Sequence, residues 1–140
     1  MTPTADMAGP SDSGYELNEI SMTEASVITA QFIVKSGSPW FDGHFPGNPI
    51  IPGIAQMSMI FDLMQRAMGP GLKLDGFKRV RFKQLIRPDT PISVLIKPTG
   101  KNPNRFEYQL TADQKIICTG FIDIRINQTV RSPEQGGNLI

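Results

Sequence analysis

Cysteine and histidine are nearly absent from this 140-residue chain, which holds only Cys118 and His44. A single cysteine excludes an internal disulfide and fits a reducing compartment, with Cys118 expected as a small apolar filler in a strand. One histidine and one cysteine leave no ligand set for a protein-made zinc site. Excess charge of one sign is also lacking: 14 Lys and Arg stand against 13 Asp and Glu, for a net charge of +1. That balance gives no sign of a nucleic-acid binder. No apolar run reaches the roughly 18 residues of a spanning helix, so no membrane span is expected. The first residues carry neither the basic start nor the apolar stretch of a secretory signal, and the expected location is the cytoplasm. A Gly-rich phosphate loop and a Gly-x-Ser-x-Gly elbow are missing too.

What remains is one domain's worth of chain, long enough for a single sizeable core. Residues 1–14 and 129–140 are small, polar and turn-forming, so they are expected as flexible tails around a domain over 15–128. Within it, Ser26 to Lys35 is β-branched and partly alternating, which predicts a strand, with a shorter one before it in Tyr15 to Ala25. Ile54 to Met68 lacks Pro and Gly and predicts a helix, stopped by Gly69-Pro70-Gly71. Ile54, Met57, Ile60, Phe61, Met64 and Met68 form its main apolar stripe, and a helix apolar on most sides should be wrapped by other structure. Four strand-like runs follow: Leu74 to Ile86, Pro91 to Pro98, Arg105 to Ala112, and Lys115 to Asn127. Asp113-Gln114 joins the last two as a hairpin. One buried helix followed by an antiparallel meander is an α+β pattern, with the sheet curling round the helix.

The chemistry concentrates just before the helix. The segment Gly43 to Gly53 contains the single histidine, three prolines that fix φ and three glycines that permit close backbone approach. That composition suggests a positioned loop, and His44 has the one side chain that both takes and gives protons near neutrality. The helix beginning near Gly53 offers unpaired N–H groups and the positive end of its dipole.

His44-Phe45-Pro46-Gly47, with Pro49-Ile50-Ile51-Pro52-Gly53 after it, resembles the signature of the hotdog-fold 3-hydroxyacyl-thioester dehydratases. The similarity covers about Trp40 to Ile124 and is strongest over Gly43 to Gly53 and Phe77 to Pro88. It implies an antiparallel sheet wrapped around one central helix, paired as a homodimer. It also implies elimination of water from a 3-hydroxyacyl group on acyl carrier protein, giving a trans-2-enoyl thioester. His44 would be the base and the Gly53 N–H the donor to the thioester oxygen. Phe45, Pro46, Gly47, Pro52, Ile54 and Met57 would line the substrate. No cofactor is implied, because the thioester already acidifies the α-proton.

The family's acidic residue lies fourteen positions after the motif histidine, where this chain has Ser58. A serine hydroxyl cannot serve as general acid near neutrality, so the catalytic pair is incomplete as the motif is usually written. Asp62, one helical turn on and on the same face, is the nearest acid, and Ser58, Asp62 and Arg66 form a polar line. Asp62 and Arg66 also have the spacing of a plain i,i+4 ion pair. A thioesterase using Asp62, or an acyl-binding subunit without turnover, are the alternatives. In Lys78-Arg79-Val80-Arg81-Phe82-Lys83, strict alternation would put Phe77, Arg79, Arg81 and Lys83 on one face. The three cations suit docking of an acidic carrier protein, or a solvated face that discourages edge pairing.

Overall fold

The computed structural model describes residues 15–35 and 52–126. Six strands and one helix follow one another as β1 (Glu16–Met22), β2 (Ile28–Ile33), α1 (Gly53–Met68), β3 (Leu72–Phe82), β4 (Ile92–Pro98), β5 (Arg105–Ala112) and β6 (Lys115–Ile126). The strands make one sheet in the order β1-β2-β4-β5-β6-β3, and every neighbouring pair is antiparallel. A single long helix on one antiparallel sheet is the hotdog arrangement that the sequence implied. The proposed tails over 1–14 and 129–140 lie outside the described residues.

Alternation along the strands builds the core. Ile28, Ala30 and Phe32 of β2, Ile92, Val94 and Ile96 of β4, and Phe106, Tyr108 and Leu110 of β5 are all buried. Cys118, Ile122 and Ile124 continue this face in β6, so Cys118 is the buried filler expected of it. The helix closes over it with Ala55, Met59, Ile60, Leu63 and Met64, and it touches β1, β2 and β3. Because β1 and β3 are the two edges of the sheet, contact with both means the sheet curls around the helix. Each fully buried aliphatic side chain here is worth about 1.5–3 kcal/mol.

Two expectations need correction. Ile60 and Met64 of the expected stripe are buried, but Ile54 is 68% exposed, and Ala55 and Gln56 turn inward instead. The stripe was wide enough that its centre could not be fixed from the sequence. The strand faces of β3 also differ. The ladder to β6 slips between Lys78 and Arg81, where Arg79 takes φ 53°. This bulge resets the alternation. Lys78 and Arg81 pair with the outward Phe121 and Thr119, while Phe77 and Phe82 pair with the inward Ile122 and Cys118. Phe77 therefore does not share a face with Arg81, and Phe82 does not share one with Lys78.

Candidate active site

The helix start is built by backbone chemistry. Pro52 is the N-cap in extended conformation (φ −64°, ψ 154°), as a proline before a helix should be, and no side chain caps the end. Its carbonyl accepts from the N–H groups of Ala55 (3.1 Å) and Gln56 (3.3 Å). The Gly53 and Ile54 N–H groups have no partner among the described residues. There is no acidic residue in the first turn to neutralise the dipole. Among the described residues, the end of α1 thus presents two open donors and a partial positive charge, suited to an oxygen that gains negative charge.

Phe82 roofs this end. A Cβ built on Gly53 would lie 2.7 Å from Phe82 Cζ and 3.0 Å from Cε2, so the ring occupies the space any other residue would need. A side chain at position 53 would make the Phe82 ring shift, so glycine suits this close approach. Phe82 is itself 49% exposed, and Ile54, next in the helix after Gly53, is another large apolar side chain left open here. Sequence reasoning missed Phe82 because the bulge at Arg79 moved it to the inner face. It also missed Gln56, a polar side chain buried in the first turn. Its spacing to Met59 and Ile60 was the available signal.

Ser58 is exposed on the open side of α1 and Met57 is half-buried. Asp62 lies one turn further and is held from two sides. The Tyr15 hydroxyl donates to its Oδ2 at 2.5 Å, and Arg66 Nε donates to its Oδ1 at 3.2 Å. Burial, then the Asp62 carboxylate, pushes the Tyr15 hydroxyl well above the ordinary tyrosine range. The i,i+4 pairing of Asp62 with Arg66 is present (3.2 Å), and Tyr15 adds a tie from the head of β1 that the sequence did not reveal. His44, Phe45, Pro46 and Gly47 lie outside the described residues. Pro52 and Gly53 sit together at the helix start with Ile54 beside them. Arg79 falls in the bulge, Arg81 points outward, and Lys83 follows the strand with its N–H on the Ile117 carbonyl at 2.8 Å.

Residues 19–121 match the model of the ApeI-like family, described as ApeI dehydratase. The chain belongs to that family. Among curated relatives, the 3-hydroxyacyl-(acyl-carrier-protein) dehydratase FabZ of Erwinia tasmaniensis is 30% identical over 71% of this chain and 73% of its own. FabZ of Levilactobacillus brevis is 29% identical over 66% of this chain and 68% of its own. Among solved structures, the dehydratase heterocomplex ApeI:P from Xenorhabdus doucetiae superposes with a TM-score of 0.68 at 22% identity, covering 77% of this chain and 95% of that one. An uncharacterised protein from Erwinia carotovora superposes at 0.64 with 21% identity, over 79% and 92% of the two chains. The hotdog fold is thereby established. No helix among the described residues is long and apolar enough to cross a membrane.

Proposed function

We propose that this protein dehydrates a 3-hydroxyacyl thioester on acyl carrier protein to the trans-2-enoyl thioester. The observation that carries the reading is the open helix start at Gly53, directly after the His44 motif and roofed by Phe82. His44 takes the C2 proton, and the electron pair of that C–H bond moves toward the thioester carbonyl. The Gly53 N–H holds the oxygen on which charge gathers. Collapse of this enolate forms the C2–C3 double bond and expels the C3 hydroxyl, which leaves as water after receiving a proton. Phe45, Pro46, Gly47, Pro52, Ile54 and Met57 flank the acyl group, and Ser58 and Asp62 lie on the side from which the hydroxyl departs.

Asp62 reaches that side as the nearest carboxylate, although Tyr15 and Arg66 engage both of its oxygens. The same engagement argues against a thioesterase, which would need this carboxylate to activate water. The exposed Ser58, in place of an acid, favours a second reading: a subunit that holds acyl chains without turning them over. Arg79, Arg81 and Lys83 guide the acidic carrier toward the site, with Arg81 and Lys83 closest to the Phe82 end of β3. Two copies of the chain pair as a homodimer, which would cover the apolar side chains left open near Gly53.

Incubation with a 3-hydroxyacyl carrier protein separates these readings. The dehydratase gives the enoyl carrier, a thioesterase gives the free hydroxy acid, and an acyl-binding subunit returns the substrate. Either of the last two products would overturn the proposal.

A further inference from the structure

On the outer face of the sheet, away from the helix, β3, β4, β5 and β6 enclose an open cavity of about 600 Å³. Its walls include Arg79, Lys97, Lys101, Arg105, Glu107 and Phe121. Arg105 is neutralised and fixed by a two-pronged bond to Asp123 (2.7 and 2.9 Å). That bond holds the guanidinium 6.0 Å from the centre of the Phe121 ring. Arg79, Lys97 and Lys101 make no salt bridge among the described residues. Three cations therefore face the cavity against the single carboxylate of Glu107.

The turn that carries Lys101 is internally braced. Arg105 N–H bonds the Asn102 carbonyl at 3.0 Å, Asn104 N–H bonds Asn102 Oδ1 at 2.9 Å, and Thr99 N–H bonds the Arg105 carbonyl at 3.2 Å. The cations are thus presented from an ordered scaffold. Its volume falls within the roughly 300–1,000 Å³ of small-molecule sites, and its lining includes Phe121 with the fixed, planar Arg105 guanidinium over the ring.

We propose that this cavity binds a small polyphosphate ligand with a planar ring, a nucleoside diphosphate in chemical class. The phosphates meet Arg79, Lys97 and Lys101, and the ring lies beside Phe121 and the planar Arg105 guanidinium that Asp123 holds over it. The excess of two positive charges matches a diphosphate better than a neutral sugar or lipid. Spreading those charges around a concave wall favours a small ligand over a flat protein surface. The site is on the opposite face of the sheet from Gly53 and shares only Arg79 with the row proposed to guide the carrier, so Lys97 and Lys101 report on the cavity alone.

The test is calorimetric titration of the full chain with ADP at low and at 0.5 M salt (on the order of a 4 Å screening length), alongside pyrophosphate and adenosine. Saturable ADP binding is expected, weakened at high salt, with pyrophosphate and adenosine each bound at least about tenfold more weakly. The exposed pair Lys97→Glu with Lys101→Glu should weaken ADP about tenfold or more, with an unchanged melting temperature and unchanged hydroxyacyl turnover. Absence of saturable ADP binding would overturn the proposal, as would affinity indifferent to the charge reversals. Pyrophosphate binding as tightly as ADP would remove the ring from it. Loss of carrier-protein binding in the charge-reversed variant, with no ADP binding by the wild type, would reassign the cavity to a protein partner.

Discussion

The ring of Phe82 lies against the Cα of Gly53, so tightly that a methyl group there would sit 2.7 Å from Phe82 Cζ. A side chain on the sheet's edge strand thereby dictates the residue that opens the helix. The pairing sets an apolar roof beside the backbone donors of the first turn. Gly53→Ala should force the ring aside and lower stability by about 1–3 kcal/mol, the usual range for overpacking. Phe82→Leu added to it should restore most of that loss. Chemical denaturation of both variants checks this, and an additive double mutant would contradict the contact.

Tyr15 and Asp62 form a tie between the head of β1 and the middle of α1. Tyr15→Phe should cost about 1 kcal/mol, and Asp62→Ala about 2–3 kcal/mol, because the latter leaves both Tyr15 and Arg66 without their acceptor. The two losses should not add. The sign of the pH dependence follows from the raised Tyr15 pKa. Its folded value lies above the ordinary 10, so its contribution is whole below that pH and is lost as pH rises beyond it. Wild-type stability should fall in the alkaline range more steeply than that of Tyr15→Phe, as melting temperatures across pH 9 to about 11 would reveal.

The β5–β6 hairpin turns on Asp113 (φ 52°) and Gln114 (φ 66°), both left-handed. Two such residues make the turn type that favours Asp-Gly. Gln114→Gly should stabilise the protein by about 0.5–1 kcal/mol, measurable as a rise in melting temperature. A fall would mean the Gln114 side chain makes contacts that outweigh its strained backbone.

Much of this fold is legible in the sequence where local chemistry decides it. β5 occupies Arg105 to Ala112 as the alternation predicts, and Gly69 ends the helix with its N–H on the Gln65 carbonyl at 2.9 Å. What is not legible depends on distant partners. The bulge at Arg79 shows only in the slipped ladder to β6, and nothing in the local alternation announces it. The Tyr15–Asp62 bond joins residues 47 apart, beyond any periodicity argument. Ile54 belongs to the apolar stripe by spacing, yet the sheet selects the face one residue further round. At the site, the motif marked Gly53 through resemblance, whereas Phe82 became visible only once the strand register was fixed.

Ser58 is exposed in the second turn of α1, where a glutamate would cost little. Ser58→Glu should change stability by no more than about 0.5 kcal/mol, since glutamate is the better helix former. Turnover of a hydroxyacyl carrier should rise, because a proton donor then stands fourteen residues after His44. If Asp62 already supplies that proton, Asp62→Asn should abolish activity and Ser58→Glu should add nothing. Steady-state rates of the two variants decide which residue serves. No turnover in the wild type or either variant, across several chain lengths, would favour the acyl-binding subunit.

The central claim is that His44 removes the C2 proton of a carrier-bound 3-hydroxyacyl group. The most direct measurement compares wild type and His44→Asn, with matched unfolding curves, for enoyl formation and for loss of a C2 deuterium label to solvent. The account predicts both in the wild type and a fall of about 10² or more in both for His44→Asn. Equal rates of label loss in the two proteins would contradict it.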